Sequence, residues 1–203
     1  MVVRRDGYVR AALELLDEVG LDGLSLRKLG EKLGVRGPAL YTHFKSKQAL
    51  LDQMAETMLD DRLAPLDDPA AMDDWPEWLA RRARTIRATL LSYRDGARLH
   101  AGSRPTGRSA MTPLIKPLLR AGFAEEDATH AILAISRYTL GCAIDEQQHA
   151  EGDHDEDPAA SFEYGLARLI AGLRADVAHS EDEMRGGVTT RDNGVRAVPS
   201  RRT

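Results

Sequence analysis

Apolar residues recur at helical spacing through most of the chain. Tyr8, Ala11, Ala12, Leu15, Leu16 and Val19 share one face of a 3.6-residue period, and Gly20 closes the run. Leu26, Leu29 and Leu33 mark a short second helix. Ser25 suits its N-cap, because a serine oxygen can accept from the free amides of a first turn, and Gly34 ends it. Gly37-Pro38 opens a third helix, with proline where its missing N–H costs nothing, and Leu40 and Phe44 give that helix a buried side. Ser46 can cap a fourth, carrying Leu50, Leu51, Met54, Met58 and Leu59. After a Pro- and Asp-rich loop (64–76), helical spacing resumes at Trp78–Leu91 and Thr112–Leu119. Residues 128–144 are apolar on nearly all sides, which suits a helix between two layers, and 162–177 reads as a last amphipathic helix. Period-two alternation never persists, so the expected class is all-α. From Ser180 onward periodicity stops, and 180–203 is expected to be disordered.

Composition adds limits. The chain has 203 residues and a formal charge of −4, with one cysteine, Cys142, so an internal disulfide or a multi-cysteine zinc site is excluded. No apolar run approaches the ~20 residues of a membrane span, and the first residues carry no signal-peptide pattern. A reducing cytoplasm, with no membrane partner, is the expected location. The charge is unevenly spread. Residues 1–50 hold nine Lys/Arg and six Asp/Glu, a local charge of +3, which leaves −7 for the rest. A basic head on an acidic body suits phosphate binding at one end.

Two short helices joined by "LGV" have the spacing of a helix-turn-helix, whose second helix offers its early residues to base edges in the major groove. Here these are Arg36, Gly37, Pro38, Ala39, Tyr41, Thr42 and His43. Pro38 and Ala39 suit thymine methyls, Thr42 and His43 can hydrogen-bond bases or phosphates, and the Tyr41 hydroxyl can reach a phosphate. Lys47 lies where a fourth helix would meet the backbone. On spacing alone, two amphipathic helices of an ordinary bundle remain the alternative.

The stretch "ALELLDEVGLDGLSLRKLGEKLGVRGPALYTHFKSKQALLDQMAETML" (12–59) resembles the DNA-binding domain of the tetracycline-repressor (TetR) family. "LLSYRDGARLHAGSRPT" (90–106) and "YTLGCAIDEQQH" (138–149) are similar to the ligand-binding core of that family's tetracycline-binding members. The resemblance implies an N-terminal three-helix helix-turn-helix DNA-binding domain (1–45) and a linking helix (46–63). It also implies a helical ligand-binding and dimerisation core (64–179) whose dimer interface is a four-helix bundle, with 128–144 and 162–177 as the bundle helices. The positions that match the family's DNA contacts are Arg27, Arg36, Gly37, Pro38, Ala39, Tyr41, Thr42, His43 and Lys47. Gly37 stands where a polar base reader is usual and Thr42 replaces an indole, so a different operator sequence is expected.

For the core, the resemblance implies a pocket at His100, Ser103, Arg104 and Pro105, with Ile132, Ser136 and Arg137 lining it and Asp145 reaching in from a second subunit. No cofactor is required. Magnesium enters only if the ligand carries it as a chelate, and His100 would then supply one nitrogen to an oxygen-rich octahedron. Other positions depart from the tetracycline binders: Arg62, Leu63 or Ala64 and then Arg82 stand where drug-holding polar residues are expected, and Ile86 replaces an aromatic ring. The expected function is a transcriptional repressor, not an enzyme, that binds palindromic double-stranded operator DNA as a homodimer and is released by a small-molecule inducer. The alternatives are a metal-assisted hydrolase using His100, His149, Asp153 and His154, or a helical interaction module without DNA. The segment around 149–157, with Asp155 and Asp157, is a further metal candidate. No HExxH, phosphate loop or nucleophile elbow accompanies them.

Overall fold

The computed structural model describes residues 5–35, 37–67, 74–103, 111–149 and 157–187, and all the regular structure among them is helical. The first helix, α1 (Arg5–Gly23), breaks at Gly20, whose φ of 69° is open to glycine at low cost. α2 (Leu26–Leu33) begins on Ser25, whose hydroxyl accepts the Lys28 N–H, and stops at Gly34 in the left-handed conformation. α3 (Gly37–Tyr41) is a single short turn of helix, and α4 (Lys47–Leu63) is capped by Ser46. A 3-10 turn (Ala64–Asp67) follows, and then α5 (Trp75–Leu91). The remaining helices are α6 (Gly96–Ala101), α7 (Met111–Arg120), α8 (Glu125–His149) and α9 (Pro158–Gly187).

Burial divides into two clusters. One joins α1–α3 through Leu16, Leu29, Leu40 and Phe44 to Leu50, Met54 and Met58 of α4, and on to Leu90 and Leu99. α4 thus belongs at once to the head and to the end of the core that carries α6. The second cluster packs Trp78, Leu79 and Ala83 of α5 against Ile115 and Leu118 of α7, Ile132 and Ile135 of α8, and Phe162, Leu166 and Ile170 of α9. The Trp78 indole N–H donates to the Leu66 carbonyl at 2.9 Å and pins the 3-10 turn to α5.

Two expectations need correction. α9 runs to Gly187 rather than ending near Ser180. "SEDEMR" lacks large apolar residues, but its glutamates, Met184 and Arg185 are good helix formers, and extending an existing helix is far easier than nucleating one. Residues 188–203 lie outside the described residues. The second expectation is that the apolar residues of 128–144 and 162–177, Leu166 and Ile170 among them, form the seam with a second copy; they turn inward instead. Phe162, Leu166 and Ile170 are buried within their own protomer, and so are Ile132 and Ile135. The faces left open to a second copy are the opposite ones: His130, Ala134, Arg137, Gly141 and Asp145 on α8, and Tyr164, Arg168, Ala171 and Ala175 on α9.

Gly96 is fixed by space. A Cβ there would run into the Leu90 carbonyl, because the chain doubles back so tightly between α5 and α6. Gly96→Ala is expected to lower stability by about 1–3 kcal/mol, read as a shift in denaturant midpoint at constant slope.

Candidate nucleic-acid interface and ligand site

In the head, the α2–α3 turn is built by three glycine-dependent details. The Gly34 N–H donates to Glu31 O and the Val35 N–H to Gly30 O at 2.9 Å, closing α2. A Cβ on Gly30 would lie 3.0 Å from the Val35 carbonyl, so this mid-helix glycine lets the turn fold close against α2. Periodicity alone does not single Gly30 out; its one signal is a glycine inside an otherwise helical pattern.

The turn delivers an exposed polar surface. Arg27, Ala39, Tyr41, Thr42, His43 and Lys47 are all exposed, and Tyr41 is 59% accessible although aromatic. Thr42 donates its hydroxyl proton to the Ala39 carbonyl at 2.6 Å, so it meets a partner as an acceptor. His43 packs its ring on Tyr8 of α1, 4.9 Å between centroids, which fixes its direction. Arg27 lies 3.4 Å from Glu31 on the same face, a solvent-screened pair that a phosphate or guanine can displace. α3 starts at Gly37-Pro38. Arg36 lies outside the described residues.

In the core, α6 is held hard at its start. Asp95, the residue before it, has φ 56°, and its carboxylate accepts the Leu21 N–H at 2.8 Å and an Arg98 N–H at 3.0 Å. Burial alone would raise the Asp95 pKa, but those two hydrogen bonds and the Arg94 and Arg98 charges hold it below its ordinary value. The Arg94 backbone N–H donates to Asp17 at 2.9 Å, and Arg98 reaches Asp22 at 3.3 Å. Gln147 of α8 accepts the Ala97 N–H and donates to the Leu90 and Tyr93 carbonyls. The end of α6 has fewer ties. Ser103 donates its hydroxyl proton to the His100 carbonyl at 2.7 Å, and Gln48 of α4 donates to the Gly102 carbonyl at 2.9 Å.

His100 stands on this last turn. Its Nδ1 is buried and meets no hydrogen-bonding partner among the described residues. Burial pushes the imidazole pKa down, so the ring is neutral at neutral pH and keeps a lone pair for a proton donor or a metal. That fits one nitrogen offered to a chelated cation carried by a ligand. Arg104 and Pro105 lie outside the described residues. Ile132 is buried in the second cluster and Ser136 is half-buried beside it on α8.

Within one protomer Arg137 turns away from Ile132 and Ile135. It is exposed on the outer stripe of α8, about 140° around the helix from Ile132 and about 160° from Ile135. Asp145 lies on that outer stripe too, 3.2 Å from His149, so within one protomer it faces away from the buried core. Arg82 is half-buried with its guanidinium 5.9 Å from the Trp78 ring. Asp157 accepts the Ala159 N–H and serves as the cap of α9. Asp153, His154 and Asp155 lie outside the described residues. Among the described residues no group of three or more His, Cys, Asp or Glu side chains could hold a metal, and no helix is long and apolar enough to cross a membrane.

Comparison with known proteins gives matches along both parts. Residues 9–54 match the family described as bacterial regulatory proteins, tetR family, and residues 68–159 match the tetracyclin repressor-like C-terminal domain. The chain is 42% identical to the class C tetracycline repressor protein of Escherichia coli, over 84% of this chain and 90% of that protein. A single-substitution variant of TetR from Acinetobacter baumannii AYE, solved in complex with minocycline, superposes with a TM-score of 0.78 at 42% identity, covering 86% of this chain and 98% of that one. TetR(class A), solved with 5a,6-anhydrotetracycline and magnesium, superposes with a TM-score of 0.71 at 46% identity, covering 83% and 96%.

Proposed function

The chain belongs to the TetR family of bacterial regulatory proteins, and from that membership we infer that it is a homodimeric transcriptional repressor which leaves its operator when a small molecule binds beside His100. It acts in the cytoplasm, binds palindromic double-stranded DNA and has no catalytic role. The observation that carries this reading is the Gln48–Gly102 hydrogen bond. It joins the turn bearing His100 and Ser103 directly to α4, whose first residue, Lys47, belongs to the DNA-facing surface.

The start of α6 is fixed by Asp95, Arg98 and Gln147, so a ligand pressing on its end can rearrange only the last turn. The Gly102 carbonyl then moves, and α4 with it. Because Met54 and Met58 of α4 sit in the same cluster as Leu29, Leu40 and Phe44, tilting α4 shifts the head. A ligand achieves release only by its preference for the shifted state.

The supported ligand is a small molecule whose polar group, alone or as a magnesium chelate, meets the neutral His100 nitrogen. Tetracyclines with magnesium are the first probe, since 5a,6-anhydrotetracycline and magnesium occupy one of the solved relatives. The hydrophobic Leu63 and Ile86 and the cationic Arg62 and Arg82 suit a ligand with a different arrangement of polar groups. The test is retardation of the DNA upstream of the gene, followed by release with minocycline and magnesium and then with a small-molecule panel. Failure to retard any duplex at low salt would defeat the repressor reading.

Head substitutions should fall into two kinds. Lys47→Ala is expected to weaken all duplexes alike and to lower the slope of log affinity against log salt by about 0.9 for each phosphate it no longer neutralises. Arg27→Ala is expected to relax base preference at one position of each half-site, by ~1–3 kcal/mol if its fork meets guanine. Titrations of matched and mismatched duplexes at several salt concentrations separate the two.

A further inference from the structure

Two cations beside the helix-turn-helix have no counterpart among its DNA-facing positions: Arg5, the first residue of α1, and Lys45, in the turn between α3 and α4. Two ring contacts fix where α1 begins. The Arg5 guanidinium lies 5.6 Å from the centroid of the Phe44 ring, and Tyr8, one turn further on, packs against His43. His43 and Phe44 follow closely on α3. The N-terminal end of α1 is therefore clasped against the far side of the α3–α4 turn, beside the DNA-facing surface.

That placement brings Arg5 to Phe44, the residue next to Lys45. Lys45 and Lys47 lie on the same turn and its exit, and both are exposed, as is Arg5. Phe44 itself is fully buried, so the Arg5 cation is held over the edge of the head's core. Two other cations of the head are tied to carboxylates: Arg10 lies 3.8 Å from Asp61 of α4, and Lys32 lies 2.6 Å from Glu18 of α1. Among the described residues no carboxylate forms such a pair with Arg5, Lys45 or Lys47. Asp6 is the nearest acidic neighbour in sequence, and it is also exposed.

We propose that Arg5 and Lys45 form a second DNA-gripping element, which holds backbone phosphates flanking the major-groove site and extends the binding surface past Lys47 around the start of α1. The proposal rests on the repressor reading. A phosphate clamp next to a major-groove helix positions the head without reading bases, so its mark is salt dependence and not sequence preference. In a dimer each residue acts twice.

The experiment measures operator affinity of the full-length, untagged protein against salt for wild type, Arg5→Ala, Arg5→Lys and the double variant Arg5→Ala/Lys45→Ala. Arg5→Ala should lower the log–log slope by about 1.8, and the double variant by about 3.6. Arg5→Lys should keep a slope near that of wild type. The weakening should be equal for operators whose flanking base pairs are changed. An unchanged slope in the double variant, with wild type binding normally, would overturn the proposal while leaving the repressor intact. A weakening that Arg5→Lys fails to rescue would also overturn it, since the residue would then act by packing on Phe44. An effect confined to particular flanking sequences would assign these cations to base readout and overturn the phosphate clamp. Failure of wild type to bind any duplex would overturn both readings together.

Discussion

Arginine at both Ala134 and Ala171 is expected to produce folded monomers that have lost specific operator binding. Both alanines lie on the outward stripes of α8 and α9, away from the buried Ile132, Ile135, Leu166 and Ile170. Small residues there allow the helices of a second copy to approach closely, whereas a pair of arginines from each copy would meet near the two-fold axis. A single helix-turn-helix head buries only a fraction of a specific protein–DNA interface, and two heads spaced by ~34 Å read a palindrome together. Losing the dimer should cost operator affinity by about 10³-fold or more, leaving the salt-sensitive background. Sedimentation gives the mass, and circular dichroism shows whether the fold survives. The contrasting variant is Leu166→Arg. Its side chain would replace one that is 1% exposed in the protomer's own core, so it should unfold the chain by several kcal/mol rather than split the dimer. If Ala134→Arg with Ala171→Arg remains dimeric, the seam lies on another face.

His100→Ala should leave DNA affinity within about twofold and raise the inducer concentration needed for release by about one to two orders of magnitude. His100 is half-buried, and no described residue bonds its Nδ1, so its removal breaks no described hydrogen bond of that nitrogen and leaves Gln48, Gly102 and Ser103 in place. On the proposed function, what would disappear is the nitrogen that meets the ligand. A charge-assisted or metal bond of ~2–3 kcal/mol corresponds to roughly 30- to 150-fold in ligand affinity. Retardation with an inducer titration reads both quantities in one series. Where the ligand arrives as a magnesium chelate, a metal chelator added to wild type should reproduce the effect of the mutation. If His100→Ala releases normally, the ligand sits elsewhere in the core.

Local chemistry makes the head legible in the chain. Ser25, Ser46 and Gly34 announce helix ends because caps act over three or four residues. The α6 helix as a separate element is not legible in that way. It has six residues, begins on a left-handed aspartate and is held by partners 50 to 76 positions away, none of which leaves a periodic trace. The side to which Arg137 turns is nearly as hidden. The small Ala134 and Gly141 blur the polar stripe of His130, Arg137 and Asp145, so the sequence gives only a weak phase from which to place one cation. The Leu166 stripe shows the related ambiguity. Periodicity says that a face is buried; it does not say whether the protomer or its partner buries it. Gln48 leaves no signal either, because a glutamine in a first turn looks like a solubilising residue until its carbonyl partner, Gly102, is seen.

The Gln48–Gly102 bond also sets a scale for the coupling between α4 and α6. A neutral hydrogen bond contributes a net ~1 kcal/mol, which is about fivefold in the ratio of two states, and two copies in a dimer give about thirtyfold. To the extent that this bond carries the coupling, inducer shifts operator affinity by about that factor. A wider range would need a second polar tie between α4 and the last turn of α6, so the protein's reach as a switch is written in how few bonds cross that gap.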